Sequence, residues 1–363
     1  MPTAALDYLR ELVELSGPSG AEDDVIRAVA RRARPLVDTL ELDPLGNLIA
    51  VRKASGADAR RLVVAAHMDE VGLRVRGIEE TGYLRFEKVG GLDNRILLGR
   101  RVWVRGANGR MLGVIGTKSL HLVREAERGV VPPHSEGYID IGARDRADAE
   151  RMGVRLGDPI GFIGELAELG LGSGCYTAHA LDDRAGCAIL LAVLDELRGR
   201  PLPVTLVAIF TVQEEVGLRG AQAAAGGQDA DVALAVDTTA LDDTPDTGTY
   251  HLRLGAGPAI KVMDASTLAH PAVRRLMANA AESAGVAVQH ELLMGIGTDA
   301  GALQFGGRGV PAGTLSLGTR YTHSPVEVLD RADLDGAVRL LRAIVLALPD
   351  ADLRYTALDD EMT

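Results

Sequence analysis

The chain has almost no cysteine: Cys175 and Cys187 are the only two among 363 residues. That is too few for a disulfide scaffold, and each reads as a small buried hydrophobe. A cationic surplus is also missing. The formal charge is −12, which argues against electrostatic capture of nucleic acid or of an anionic membrane. No apolar stretch is long enough to span a bilayer, and the start, Met1-Pro2-Thr3-Ala4-Ala5-Leu6-Asp7-Tyr8-Leu9-Arg10-Glu11, carries charge where a secretory segment would be apolar. The expectation is a cytoplasmic protein. Internal repeats and low-complexity segments are absent as well, while the length exceeds what one core usually serves. Two domains, or one domain with a large insertion, are therefore expected.

What is present is a rhythm of apolar runs that end in polar clusters. Apolar residues at helical spacing predict helices near 6–15 and 22–34, with Gly17-Pro18-Ser19-Gly20 ending the first. Asp43-Pro44-Leu45-Gly46-Asn47 reads as the turn of a hairpin, and the run at 61–66 reads as a strand that delivers His67-Met68-Asp69. Between 71 and 162 the texture changes to short alternating segments separated by glycine-rich turns, the pattern of a small all-β barrel. After it, helices at 184–197, 272–284 and 331–348 alternate with strands at 204–210, 232–236 and 314–317. The tail after Pro349 reads as loosely held. The fold class expected is α/β: a mostly parallel central sheet with helices on both faces, formed by residues 1–70 and 163–363, with an inserted β-rich domain at 71–162.

Five clusters sit where such strands end or at glycine-rich turns: His67-Met68-Asp69, Asp182-Asp183, Glu214-Glu215, Asp237 and His323. In an open α/β sheet the carboxyl ends of the strands share one crevice, so these distant residues can converge there. Two imidazoles and several carboxylates form a ligand set suited to two divalent ions. Two such ions bring four positive charges, which three carboxylate ligands and a hydroxide offset, while Glu214 stays free to move a proton. Either member of the Glu214-Glu215 pair, lying in extended backbone, would point away from the other.

His67-Met68-Asp69-Glu70-Val71-Gly72, Ala180-Leu181-Asp182-Asp183-Arg184, Gln213-Glu214-Glu215-Val216-Gly217 and Arg320-Tyr321-Thr322-His323-Ser324-Pro325 together resemble the signature of the M42 metallo-aminopeptidases. The resemblance implies a zinc-exopeptidase-like fold and an aminopeptidase acting on short peptides, with two divalent ions per subunit, zinc or cobalt foremost and manganese also accepted. It implies that His67 and Asp237 hold one ion, Glu215 and His323 the other, and that Asp182 bridges them. Glu214 would be the general base, and Asp69 would orient the ring of His67. It further implies a cis peptide bond at Asp182-Asp183 and a homododecamer built from dimers through the β-rich block. Thr298 and Asp299, in Gly295-Ile296-Gly297-Thr298-Asp299-Ala300-Gly301, and Arg320 are candidates for substrate contact. That loop is no dinucleotide site, because its third glycine is displaced. The rival readings are a metal-dependent deacylase of N-acyl amino acids and a catalytically idle assembly protein.

Overall fold

A computed structural model describes residues 3–125, 128–245, 247 and 251–356. Helices α1 (Ala5–Val13) and α2 (Asp23–Ala33) precede the hairpin β1 (Thr39–Leu42) and β2 (Leu48–Arg52), and then strand β3 (Arg61–His67). A closed barrel follows, made of β4 (Gly72–Ile78), β5 (Leu84–Val89), β6 (Arg101–Gly106), β7 (Gly109–Ile115), β8 (Ile139–Asp140) and β9 (Pro159–Phe162), with helix α3 (Arg146–Arg151) between the last two. The chain continues through β10 (Ala167–Glu168), β11 (Cys175–Ala178), α4 (Leu181–Glu196), β12 (Thr205–Thr211), α5 (Arg219–Ala225), β13 (Val232–Ala240) and β14 (Ala259–Met263). It ends with α6 (Pro271–Ala284), β15 (Gln289–Leu292), α7 (Ala300–Leu303), β16 (Ala312–Thr319), β17 (Glu327–Asp330) and α8 (Arg331–Ala347).

Eight strands form the central sheet in the order β1-β2-β12-β3-β13-β16-β14-β15. The middle four, β12, β3, β13 and β16, are parallel. The flanks join them antiparallel, β2 on β12 and β14 on β16, so the sheet is mixed. The parallel strands read as unbroken apolar runs because both their faces are covered. Alternate residues of β3 and β12 divide between the faces: Leu62, Val64, Leu206 and Phe210 join a core with α1, α4, α6 and α8, whereas Val63, Val207 and Ile209 pack beneath α5 and α7. That second layer is thin. Its helices contribute Ala221, Ala224, Ala300 and Ala302, small side chains that let short helices lie close to the sheet.

The barrel closes around its own core, which includes Leu73, Leu84, Phe86, Val102, Val104 and Ile160. Sequence periodicity did not reveal α5, α7, β14, β15 or β17, which are short and, in the two helices, rich in alanine and glycine rather than amphipathic. The tail is held further than expected, since Leu353 packs against the main core. Residues 357–363, also part of that expectation, lie outside the described residues.

Candidate active site

Parallel pairing brings the polar clusters level. In the β12–β3 register Thr211 stands opposite His67, and in the β13–β3 register Ala235 stands opposite Ala65, so Asp237, two residues on, comes abreast of His67. Asp182 lies where α4 begins. There Asp182 and Asp183 depart from helical torsions and the peptide bond between them is cis. Neither glutamate of the pair lies in a strand, contrary to the sequence expectation: β12 ends at Thr211, and Gln213 takes a left-handed φ of 55°. The turn that results presents both carboxylates to the same space. His67, Asp182, Glu214, Glu215, Asp237 and His323 all line one cavity of about 530 Å³.

Asp182 is central. Its Oδ1 lies 3.2 Å from Nε2 of His67, and its Oδ2 lies 3.3 Å from Nε2 of His323. Oε2 of Glu215 is 3.2 Å from the same nitrogen of His323, while Oδ1 of Asp237 and Oε2 of Glu214 each stand 3.9 Å from Nε2 of His67. Both imidazoles are held from behind in the same way. Nδ1 of His67 is 3.1 Å from the main-chain carbonyl of Asp69, and Nδ1 of His323 is 2.9 Å from that of Gly91. With Nδ1–H donated to a carbonyl, Nε2 is the nitrogen that faces the cavity, and it is free to bind a metal once its own proton is displaced.

The electrostatics favour a cationic guest. Burial raises the pKa of Glu214 well above the ordinary range, with Asp237, Asp299 and Glu215 adding to the effect. Burial does the same for Asp237, helped by Asp182. Asp182 runs the other way: burial would raise it, but hydrogen bonds from His323 and His67 pull it down. Burial would lower His67, yet Asp182 and Asp69 hold it well above its usual value. Among the described residues no lysine or arginine lines the cavity. A buried oxygen of Glu215, Oε1, has no hydrogen-bond partner, a costly state unless something else meets it. One atom each of His67, Asp182 and Glu215 lies within 4.8 Å of the others, and so do atoms of His67, Asp183 and Asp237. Mixed imidazole and carboxylate donors crowded this closely, short of countercharge and with an orphaned oxygen, fit divalent ions.

Three supporting carboxylates complete the arrangement. Asp69 does more than was expected of it: its oxygens accept the main-chain N–H of Glu214 (3.0 Å), that of Glu215 (3.2 Å) and the hydroxyl of Ser19 (2.6 Å). Its carboxylate thus shapes the glutamate turn, and its own carbonyl steadies His67. Asp183 accepts from the main-chain N–H of His67 at 3.2 Å and of Gly186 at 2.9 Å, capping the regular part of α4. Glu327, fully buried, accepts from the main-chain N–H of Asp182 at 3.0 Å and of His323 at 2.7 Å. Its only sequence signal was an acid ahead of an apolar strand, which is commonplace. Gly91 follows β5 in the β-rich block and lines the cavity, so that block borders the site.

Thr298, Asp299 and Arg320 do not line the cavity. The hydroxyl of Thr298 is 2.9 Å from that of Thr314, and Oδ2 of Asp299 accepts from the hydroxyl of Thr211 at 2.5 Å. Arg320 makes a two-pronged pair with Asp243 at 2.7 and 2.6 Å.

A family model described as M42 glutamyl aminopeptidase matches residues 46–340. The chain belongs to the M42 glutamyl aminopeptidase family. Membership makes it a peptidase of the zinc-exopeptidase fold, from a metal-dependent family. The M42 chain is 40% identical to aminopeptidase APDkam598 from the archaeon Desulfurococcus kamchatkensis, with 94% of each chain covered and a TM-score of 0.89. It is 34% identical to the TET1 peptidase of Pyrococcus horikoshii, which can assemble into a tetrahedron or a large octahedral shell; the match covers 94% of this chain and 99% of that one, with a TM-score of 0.84. It is also 34% identical to the lysyl aminopeptidase of Pyrococcus furiosus over 351 residues, 95% of this chain and 98% of that protein.

Proposed function

We propose that this M42 chain is a dinuclear metallo-aminopeptidase that removes N-terminal residues from short peptides. The observation that carries the reading is the posture of Asp182, whose two oxygens face two different imidazoles, Nε2 of His67 at 3.2 Å and Nε2 of His323 at 3.3 Å. A carboxylate shared between two ions needs that posture. His67 and Asp237 would hold one divalent ion and Glu215 and His323 the other, zinc or cobalt foremost and manganese also tolerated by this donor set. When bound, the ions would polarise the scissile carbonyl and acidify the attacking water.

The protein's own groups do the rest. Glu214 takes the proton of the water and returns it to the leaving amine, a role suited to a carboxylate whose burial raises its proton affinity. Asp69 holds the main chain of Glu214 and Glu215 so that the base and the ligand keep separate stations. The free α-amine of the peptide would lie among the cavity's carboxylates, which makes the enzyme exo-acting.

The barrel, residues 71–162, would build a homododecamer from dimers in the cytoplasm. Supporting this, it exposes Leu112, Val114, Leu120 and Leu122, an apolar set that a subunit contact would cover. The unpaired Cys175 and Cys187 suit a reducing compartment. Among the described residues no helix is long and apolar enough to cross a membrane. Deacylation of N-acyl amino acids is disfavoured because, among the described residues, no lysine or arginine lines the cavity to receive a product carboxylate. An idle assembly protein is disfavoured because the donor set is complete.

Aminoacyl and N-acylated chromogenic substrates assayed before chelation, after it and on re-addition of metal test the reading. Free-amine substrates should be cleaved, chelation should abolish the activity, and metal should restore it. Cleavage of the N-acylated substrates alone would put the deacylase in its place.

A further inference from the structure

The cavity holds two kinds of surface. One is the cluster of imidazoles and carboxylates. The other is uncharged: Leu218, Ala240 and Ile296, the threonines Thr238, Thr239 and Thr322, and glycines. The threonine hydroxyls are already engaged or closed off. Thr239 donates its single proton to Oε1 of Glu291 at 2.7 Å, and the hydroxyl of Thr322 lies 2.7 Å from that of Thr319. The hydroxyl oxygen of Thr238 is sealed from solvent. Charges behind this wall are neutralised. Lys261, 1% exposed, is paired with the same carboxylate of Glu291 that Thr239 meets, and Arg320 is pinned to Asp243.

We infer that the uncharged wall selects a neutral, aliphatic N-terminal residue and rejects acidic and basic ones; this rests on the aminopeptidase reading. A substrate carboxylate placed there would lose its water without gaining a charged donor, because among the described residues no lysine or arginine borders the cavity and the proton of Thr239 is taken. A substrate ammonium fares little better, since the acid behind the wall, Glu291, is matched by Lys261. An aliphatic side chain loses nothing on entering and covers Leu218, Ala240 and Ile296. Ala240 is then the position at which specificity can be changed, because it borders the cavity and carries no side chain beyond Cβ.

The test compares kcat/KM of the metal-loaded enzyme on leucyl, alanyl, glutamyl and lysyl p-nitroanilides. Alongside it, free L-leucine, L-glutamate and L-lysine are titrated calorimetrically into the metal-loaded Glu214→Gln protein. Leucyl should exceed glutamyl and lysyl by about tenfold or more, and leucine should bind tightest. Ala240→Lys should raise the glutamyl-to-leucyl ratio by about tenfold or more. Glutamyl or lysyl substrate turned over as well as leucyl overturns the inference and leaves the aminopeptidase standing. If no substrate is cleaved, the aminopeptidase reading falls, and the calorimetric order alone decides: tightest leucine upholds the neutral wall, tightest glutamate or lysine overturns it.

Discussion

Oδ1 of Asp69 accepts the main-chain N–H of Glu214 at 3.0 Å, and Oδ2 accepts that of Glu215 at 3.2 Å. One buried carboxylate therefore fixes the turn that sets Glu214 apart from Glu215. In Asp69→Asn the amide must set an N–H against one of these donors, which tilts the turn. Turnover should fall by about ten- to a hundredfold while the protein stays folded. An unchanged kcat, with near-normal melting, would show that the turn holds itself.

Glu214 and Glu215 should fail differently when each is changed to Gln. Glu214→Gln keeps size and removes the proposed base, so metal content should stay while kcat drops by about a hundredfold or more. Glu215→Gln exchanges an anionic donor for a weak neutral one. It should lose metal first and regain part of its activity in excess metal. Metal analysis beside steady-state kinetics decides, and the opposite pattern would exchange the two roles.

Glu327 touches neither cavity nor metal position, yet it holds the main chain of Asp182 and of His323. Glu327→Gln can accept only one of those N–H groups well. Metal affinity should weaken by about ten- to a hundredfold, read by competition with a chromogenic chelator, with the oligomeric state unchanged. Wild-type affinity in this variant would reduce Glu327 to a packing residue.

Metal uptake should release protons. Without metal, burial works against the imidazolium of His323, but Asp182 and Glu215 outweigh it and push the group up to about 12 from 6.5. The raised value fixes the sign: the stability this ion pairing adds to the metal-free protein is complete below pH 6.5 and is lost as pH rises through about 12. A divalent ion must displace that proton at neutral pH, so apparent affinity should fall by about tenfold for each unit by which the pH is lowered, per proton released. Calorimetric titration of zinc in buffers of differing ionisation enthalpy measures the release. Identical heats in all buffers would contradict it.

Much of this was legible in the sequence because it is local. Apolar runs at 61–66, 204–210 and 232–236 announced buried parallel strands, and a strand covered on both faces has little choice of residue type. His67, Glu214, Glu215 and Asp237 stand at or just beyond the ends of those apolar runs, so the convergence of side chains followed from the sheet. The alternating texture between 71 and 162 likewise foretold β structure, and the strands there close into a barrel. What the tertiary structure alone decided are the contacts made across the chain to main-chain atoms. Glu327 reaches Asp182 over 145 positions and Gly91 reaches His323 over 232, and neither residue carries a pattern that names its partner. Thr298, Asp299 and Arg320 show the converse. Their types suit substrate contact, but Thr314, Thr211 and Asp243 meet them first. Periodicity reports which face of an element is buried, whereas the partner of a buried polar group is set by whichever element the fold lays against it.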